Sequence, residues 1–501
     1  MKKFEKRNII FAFSALSLAG ALFGGCQKDE PQKGGTEGVE APKIVAFSPE
    51  NGSKDLKGTT LQIVLTFDQN VKCPSSEHSK FTVDHSATVD KVFAYNKDVT
   101  ISVSGLLEGV SYTLSIPSGV ISGYKNNPFG GLEYTFSMKA SEKDYALAPA
   151  SSLTNAKATD GAKKLYALLL ENYGKKTFSG AMGGTAWETT YSDCVASAAG
   201  GKYPAVVGFD YLFFNWPAKK WDGCPDYGDI TPVKAAWDAG NIIQIGWHWS
   251  VPSVQDETDL NNYSFYAPGK GGSSKTTTFD IREALADGTW QRILIDNQIE
   301  RLAGYISLLQ DAGIPVLFRP LHEAAGDYKW GAWFWWGAKG AEPCVQLWKY
   351  LRKELETTYS LNNLVWVWTV QTSTAGAVNS ESLDTAREWY PGDEYVDIVG
   401  ADLYEAKGTT QSAAFKFVNN SVRGNKMVVL SEFGNLLDIS GAYSEGAPWG
   451  YMMNWCNYEN GSPVLYCRNS DGSYSWNNTA DDWKAALSGD RMLNRGDYSV
   501  K

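Results

Sequence analysis

Two hydrophobic rhythms divide the chain. Between residues 44 and 140 apolar side chains recur at every second position, with Leu61, Ile63, Leu65 and Phe67 set against Gln62, Thr66 and Asp68. A period of two belongs to a strand with one buried face. Val99, Ile101 and Val103 repeat it, as do Tyr112, Leu114 and Ile116, then Tyr134, Phe136 and Met138, with Gly, Asn and Pro turns between them. About seven short strands in such a stretch predict an antiparallel β-sandwich. Past a linker at 141–155 the rhythm changes. Ile295, Ile299, Leu302, Ile306 and Leu309 step by four and three, one apolar helix face, and Gly313 follows as a C-terminal cap. Eight apolar runs, at 177–182, 205–209, 242–247, 315–321, 364–369, 396–401, 427–430 and 451–455, alternate with helical patterns over 145–501. Eight such repeats predict an α/β fold, a (β/α)8 barrel with insertions. A doubly wound sheet is the rival, but no GxGxxG follows a first strand to support a nucleotide site.

Composition adds to this division. Apolar residues are 43% and charged residues 20% of the chain, the balance of a globular protein rather than a disordered one. A formal net charge of −10 argues against nucleic acid as a partner, since phosphate binding needs clustered Lys and Arg. The 19 Trp residues all fall between Trp187 and Trp483, none in the alternating region, which makes the second region the reader of a flat-faced ligand. In the first region nothing looks catalytic. His78 and His85 are isolated in loop-like surroundings and read as surface residues, so 44–140 is read as a spacer.

Residues 1–25 have the pattern of a secretory signal: Lys2, Lys3, Lys6 and Arg7, then an apolar run from Ile9 to Phe23 too short to span a bilayer. The run ends in Leu22-Phe23-Gly24-Gly25-Cys26, which resembles a bacterial lipoprotein cleavage box. That resemblance implies a lipid anchor on Cys26, residues 26–43 as a polar tether, and an outer-membrane lipoprotein facing the cell surface or periplasm. The six other cysteines form no CxxC pair, against a zinc ribbon; Cys194 with Cys224 and Cys456 with Cys467 are the pairs to test for oxidation.

Catalytic groups of such a barrel gather where strands end, at its C-terminal face. The third run leads into Trp247-His248-Trp249, and the fourth reads Phe318-Arg319-Pro320-Leu321-His322-Glu323. The sixth leads to Asp402-Leu403-Tyr404, the seventh to Ser431-Glu432-Phe433-Gly434, and the eighth delivers Trp455. Two glutamates at the ends of strands four and seven suit a retaining glycosidase, one protonating the departing oxygen while the other attacks the sugar carbon. Glu323 should be held protonated by apolar surroundings and its partner's charge, and Glu432 held ionised by Tyr404 and Arg319. Two other chemistries fail on spacing. HExxH would need His where Gly326 stands, and no strand leads into Gly-x-Ser-x-Gly. Trp330, Trp333, Trp335 and Trp336 crowd just after Glu323, where indole faces could form platforms for sugar rings, whereas Trp366 and Trp368 lie inside a strand and read as packing.

With these motifs, and with Trp333-Phe334-Trp335-Trp336-Gly337 and Tyr390-Pro391-Gly392-Asp393, residues 145–490 resemble glycoside hydrolase family 26. The stretch 44–140 resembles bacterial immunoglobulin-like domains. The family resemblance implies a retaining endo-β-1,4-mannanase acting on mannan, glucomannan or galactomannan without cofactor or metal. It makes Glu323 the acid/base and Glu432 the nucleophile. It implies that His248, Arg319, His322, Asp402 and Tyr404 contact the sugar at the cleavage point or position the carboxylates. Trp333, Trp335, Trp336 and Trp455 would supply stacking surfaces. Mixed-linkage β-glucanase and β-1,3-xylanase are alternatives within the family, and a surface glycan-binding lipoprotein is the non-enzymatic one. Gly326-Asp327-Tyr328-Lys329-Trp330-Gly331 lengthens the family's usual gap between acid and Trp cluster.

Overall fold

The computed structural model describes residues 40–501 apart from 85–86, 107–110, 140–143, 221–223, 270–274, 327–330, 372–382 and 405. The signal segment, Cys26, most of the tether, His85 and Trp330 lie outside the described residues. The described residues divide into two compact units, one before residue 143 and one from Asp144 onward.

In the first unit one four-stranded sheet holds Ile44–Ser48, Thr60–Phe67, Asp98–Ser104 and Thr88–Tyr95 in that spatial order. The other holds Ser53–Leu56, Leu132–Met138, Ser111–Ile116 and Thr82–Val83. The alternating residues do what their period demands: Ile63, Leu65, Phe67, Val99, Ile101, Val103, Leu114 and Phe136 share one core. The sheets use eight strands rather than about seven, and Val71–Lys72 pairs with Ser122–Gly123 besides. His78 sits half-buried on a short turn, its Nε2 3.3 Å from the Cys73 carbonyl oxygen.

In the second unit eight parallel strands close into a barrel: Gly180–Met182, Val206–Asp210, Ile242–Trp247, Val316–Pro320, Leu364–Gln371, Ile398–Leu403, Met427–Phe433 and Met452–Asn454. Their near-unbroken apolar character follows from burial on both faces, against the barrel interior and against the helices outside. Each expected run contributes a strand, with shifted ends. The first splits at Ser179, whose hydroxyl donates to Asn494 Oδ1 over 2.9 Å, so that Thr177–Phe178 pairs with Met492–Leu493 below the barrel. Strand two runs on to Asp210, strand six to Leu403 and strand seven to Phe433. The helix Trp290–Asp311 buries Ile295, Ile299, Leu302, Ile306 and Leu309, starts on a Thr289 cap and stops before Gly313 at φ 71°. Trp366 and Trp368 are buried within strand five, as packing. Cys194 and Cys224 carry free thiols, facing the carbonyls of Pro463 and Pro217, so that pair is not bonded.

Candidate active site

Strands six and seven carry an irregularity that decides what faces the barrel mouth. Ala401 pairs with Leu430 but Asp402 pairs with Glu432, so Ser431 is an extra residue on strand seven. A bulge of this kind re-aims side chains beside it. It brings the Ser431 hydroxyl 2.7 Å from Asp402 Oδ1 and sends Glu432 toward strand four.

There Arg319 waits, 1% exposed. Its Nη1 donates to Asp402 Oδ2 at 2.6 Å and its Nη2 to Glu432 Oε2 at 2.5 Å. The planar fork of a guanidinium suits two carboxylates at once, where an ammonium would not. Burial alone would lower the Arg319 pKa, but the Asp402 and Glu432 charges outweigh it and the group is held more firmly charged than usual. Tyr404, at the end of strand six, donates its hydroxyl to the other Glu432 oxygen, Oε1. Both oxygens of Glu432 therefore have a donor, an arrangement that stabilises an anion.

Glu323 has the opposite surroundings. It follows strand four, where Leu321 and Glu323 itself take left-handed backbone angles, φ 49° and 53°, sparsely populated outside glycine. Its carboxyl is pushed well above the usual carboxylate range, first by burial and then by the negative charges of Asp402 and Glu432. Arg319 opposes this, as does the Trp333 indole, whose N–H donates to Glu323 Oε2 at 2.7 Å. Burial also raises Asp402, against the Arg319 charge.

Two histidines complete the floor. His248, after strand three, has Nδ1 2.8 Å from Asp210 Oδ2, and its backbone N–H donates to Asp210 Oδ1 at 3.1 Å. Asp210, at the end of strand two, thus fixes the ring and leaves Nε2 for other partners. His322 is buried beside it, ring centroids 4.5 Å apart, and burial with the Arg319 charge holds it neutral, well below its ordinary pKa. Trp455, after strand eight, is half-buried with its ring 5.5 Å from His248.

The Trp run divides. Trp333 is half-buried at the mouth, but Trp335 and Trp336 are fully buried, their N–H groups given to the Trp249 and His322 carbonyls at 2.7 and 2.9 Å. An indole with both faces packed and its donor satisfied inside the protein cannot receive a sugar, so these two are core residues and not platforms. Asp210 was not anticipated. Its signal was available, an acid ending a barrel strand, but the expected strand stopped at Phe209. Trp476, 5.6 Å from the Tyr404 ring, lies outside every strand-end motif and had none.

Comparison with known proteins bears on this site. Residues 154–469 match "Glycosyl hydrolase family 26" and residues 38–138 match "Bacterial Ig-like domain". Mannan endo-1,4-beta-mannosidase B of Piromyces sp is 33% identical over 313 residues, 61% of this chain and 48% of that protein. Mannan endo-1,4-beta-mannosidase of Thermothelomyces thermophilus is 33% identical over 308 residues, 61% of this chain and 57% of its own length. The chain spans about half the length of these curated relatives. Among solved structures, a β-mannanase from a symbiotic protist of the termite Reticulitermes speratus, complexed with gluco-manno-oligosaccharide, shares 31% identity at a TM-score of 0.58, over 71% of this chain and 100% of that one. The family 26 domain of an endo-β-mannanase/endo-β-glucanase from Prevotella bryantii shares 33% at 0.57, over 70% and 99%.

Proposed function

The chain belongs to glycosyl hydrolase family 26, and from that premise we propose that it is a retaining endo-β-1,4-mannanase, cutting mannan, glucomannan or galactomannan by double displacement. The observation that carries the proposal is the unlike surroundings of two strand-end carboxyls: Glu323 is raised by burial and negative neighbours, whereas Glu432 accepts hydrogen bonds from Arg319 and Tyr404, one on each oxygen. Glu323 protonates the glycosidic oxygen as Glu432 attacks the anomeric carbon. The C–O bond to the leaving sugar breaks, and a glycosyl ester on Glu432 takes its place. Glu323, now ionised, then takes a proton from water, which attacks the same carbon and frees Glu432. His248 binds the sugar at the cleavage point with His322 packed behind it, Trp455 and Trp333 offer it ring surface, and Arg319 and Asp402 position Glu432. Mannan, rather than mixed-linkage glucan or β-1,3-xylan, is favoured because the relatives above are mannanases.

Reducing-sugar release from mannan, glucomannan, β-glucan and xylan tests the assignment. Wild-type protein no more active than Glu323→Gln or Glu432→Gln would leave only a glycan binder. Stereochemistry is a separate check: proton NMR of the first product should show the β-anomer, and an initial α-anomer would rule out double displacement. The same proposal places the enzyme on the outer membrane through a lipid on Cys26, supported by the apolar run and small residues before that cysteine. Membrane fractionation should be lost in Cys26→Ala, and a wild type that stays in the soluble fraction refutes the anchor.

A further inference from the structure

Beyond Phe433 the chain makes a contact that the proposed chemistry does not use. Tyr466–Arg468 and Tyr474–Asn477 form a hairpin whose second strand carries Trp476, past residue 469 where the family match ends. Trp476 is 7% exposed, too enclosed to serve as a sugar platform, and its buried N–H has no partner among the described residues. Packing therefore sets where the ring sits. What it touches is Tyr404, at 5.6 Å between centroids and 50° between planes.

Gly434, two residues after Glu432, lies between them. A Cβ there would come within 2.8 Å of Tyr404 Cδ1 and 3.3 Å of Trp476 Cβ and Cε3, so only glycine lets the two rings close over the end of strand seven. The hairpin is tied to that same end. Asn478 Nδ2 donates to the Gly434 carbonyl at 2.8 Å, Leu436 N donates to Asn478 Oδ1 at 2.9 Å, and Asn477 N donates to Asn435 Oδ1 at 3.1 Å. Lys407, three residues after Tyr404, donates to the Asn477 carbonyl at 3.1 Å and pairs with Asp482. Tyr404 is 40% exposed, and a ring that open needs a wall on its other side to keep its hydroxyl on Glu432.

We infer that Trp476 is a positioning residue for the reaction: it acts through Tyr404, holding that phenol against Glu432, and touches no substrate. The inference rests on the family 26 assignment, in which Glu432 is the nucleophile. A mispositioned Tyr404 loses a hydrogen bond that strengthens or weakens as the Glu432 charge changes along the reaction, so the effect should fall on kcat rather than on KM.

A double-mutant cycle tests it, with Trp476→Ala, Tyr404→Phe and both together assayed on a mannan found to be cleaved. Trp476→Ala should lower kcat about 10-fold or more with KM little changed, an order expected for loss of one oriented hydrogen bond. In the Tyr404→Phe background the same substitution should cost less than about 2-fold, because the hydroxyl it would misplace is already gone. Trp476→Phe should recover most of kcat. Gly434→Ala, which wedges a methyl between the rings from the other side, should mimic Trp476→Ala and carries the test should the alanine variant not fold. Equal losses in both backgrounds, or a change confined to KM, overturn this inference while leaving the enzyme assignment standing. A wild type inert on every mannan, glucan and xylan overturns both.

Discussion

Trp333 gives its indole N–H to Oε2 of Glu323 over 2.7 Å, so the polar edge of a ring at the cleft mouth is tied to the proposed acid. That hydrogen bond favours the ionised carboxyl and opposes the burial that raises it. As the proposed acid Glu323 would act in its protonated form, so activity should fall as pH rises through its pKa. Trp333→Phe removes the donor, lifts that pKa further, and should move the alkaline limb of kcat/KM to higher pH. A limb that stays in place or moves down would mean the bond does not tune the acid.

Glu323 also costs the fold something. A carboxyl whose folded pKa lies above its unfolded value, about 4.3, takes up protons on folding, so its contribution to stability is complete below that value and lost as pH rises through the folded pKa. Glu323→Gln escapes this loss. It should melt above the wild type at pH 7, with the gap widening from about pH 4 upward, while its rate falls on the order of 10³-fold. A gap that shrinks with rising pH would contradict the burial and charge assignment.

Arg319 stands in the reverse relation. It is enclosed between Asp402 and Glu432, and removing one partner of a buried ion pair strands the other at a cost of about 3–5 kcal/mol. Arg319→Met should lower thermal stability by an amount of that order at pH 7 and recover part of it on acidification, when protonation removes the unpaired charges. Arg319→Lys should not rescue, since one ammonium cannot present two directed donors to two carboxylates. Melting curves at pH 5 and pH 7 decide it.

Asp210 serves His248 with two acceptor oxygens, one for the backbone N–H and one for Nδ1. Asparagine keeps the shape but has one acceptor, so one of the two donors meets an amide N–H. Asp210→Asn should therefore rotate or re-protonate the imidazole and cost about 10- to 100-fold in kcat/KM, the scale of a small misplacement of a binding group. Imidazole nitrogen NMR shifts would report the changed tautomer, and unchanged shifts with unchanged rate would remove His248 from the site.

Much of the barrel was legible because a parallel strand buried on both faces must be apolar along its length and can break that rule only where it reaches the mouth. Eight such runs stand out, and the polar residues at their ends include Glu323, Asp402 and Glu432. Asp210 escaped because an acid closing an apolar run looks the same whether it continues the strand or starts a loop. Trp335 and Trp336 read as platforms in sequence for a related reason. An indole has the same sequence signal whether its N–H meets the Trp249 carbonyl in the core or a carboxylate in the cleft, as in Trp333.

The chain's letters alone determine the two folding rhythms, the count of barrel strands and which strands end in carboxyl groups, all consequences of local periodicity and of what burial permits. Tertiary structure decides which of those groups meet. Arg319 bridges Asp402 and Glu432, and Trp476 leans on Tyr404, only because the barrel closes and a bulge at Ser431 turns strand seven's side chains toward strand four. Contacts between residues so far apart along the chain are set by ring closure and register, which no local pattern records.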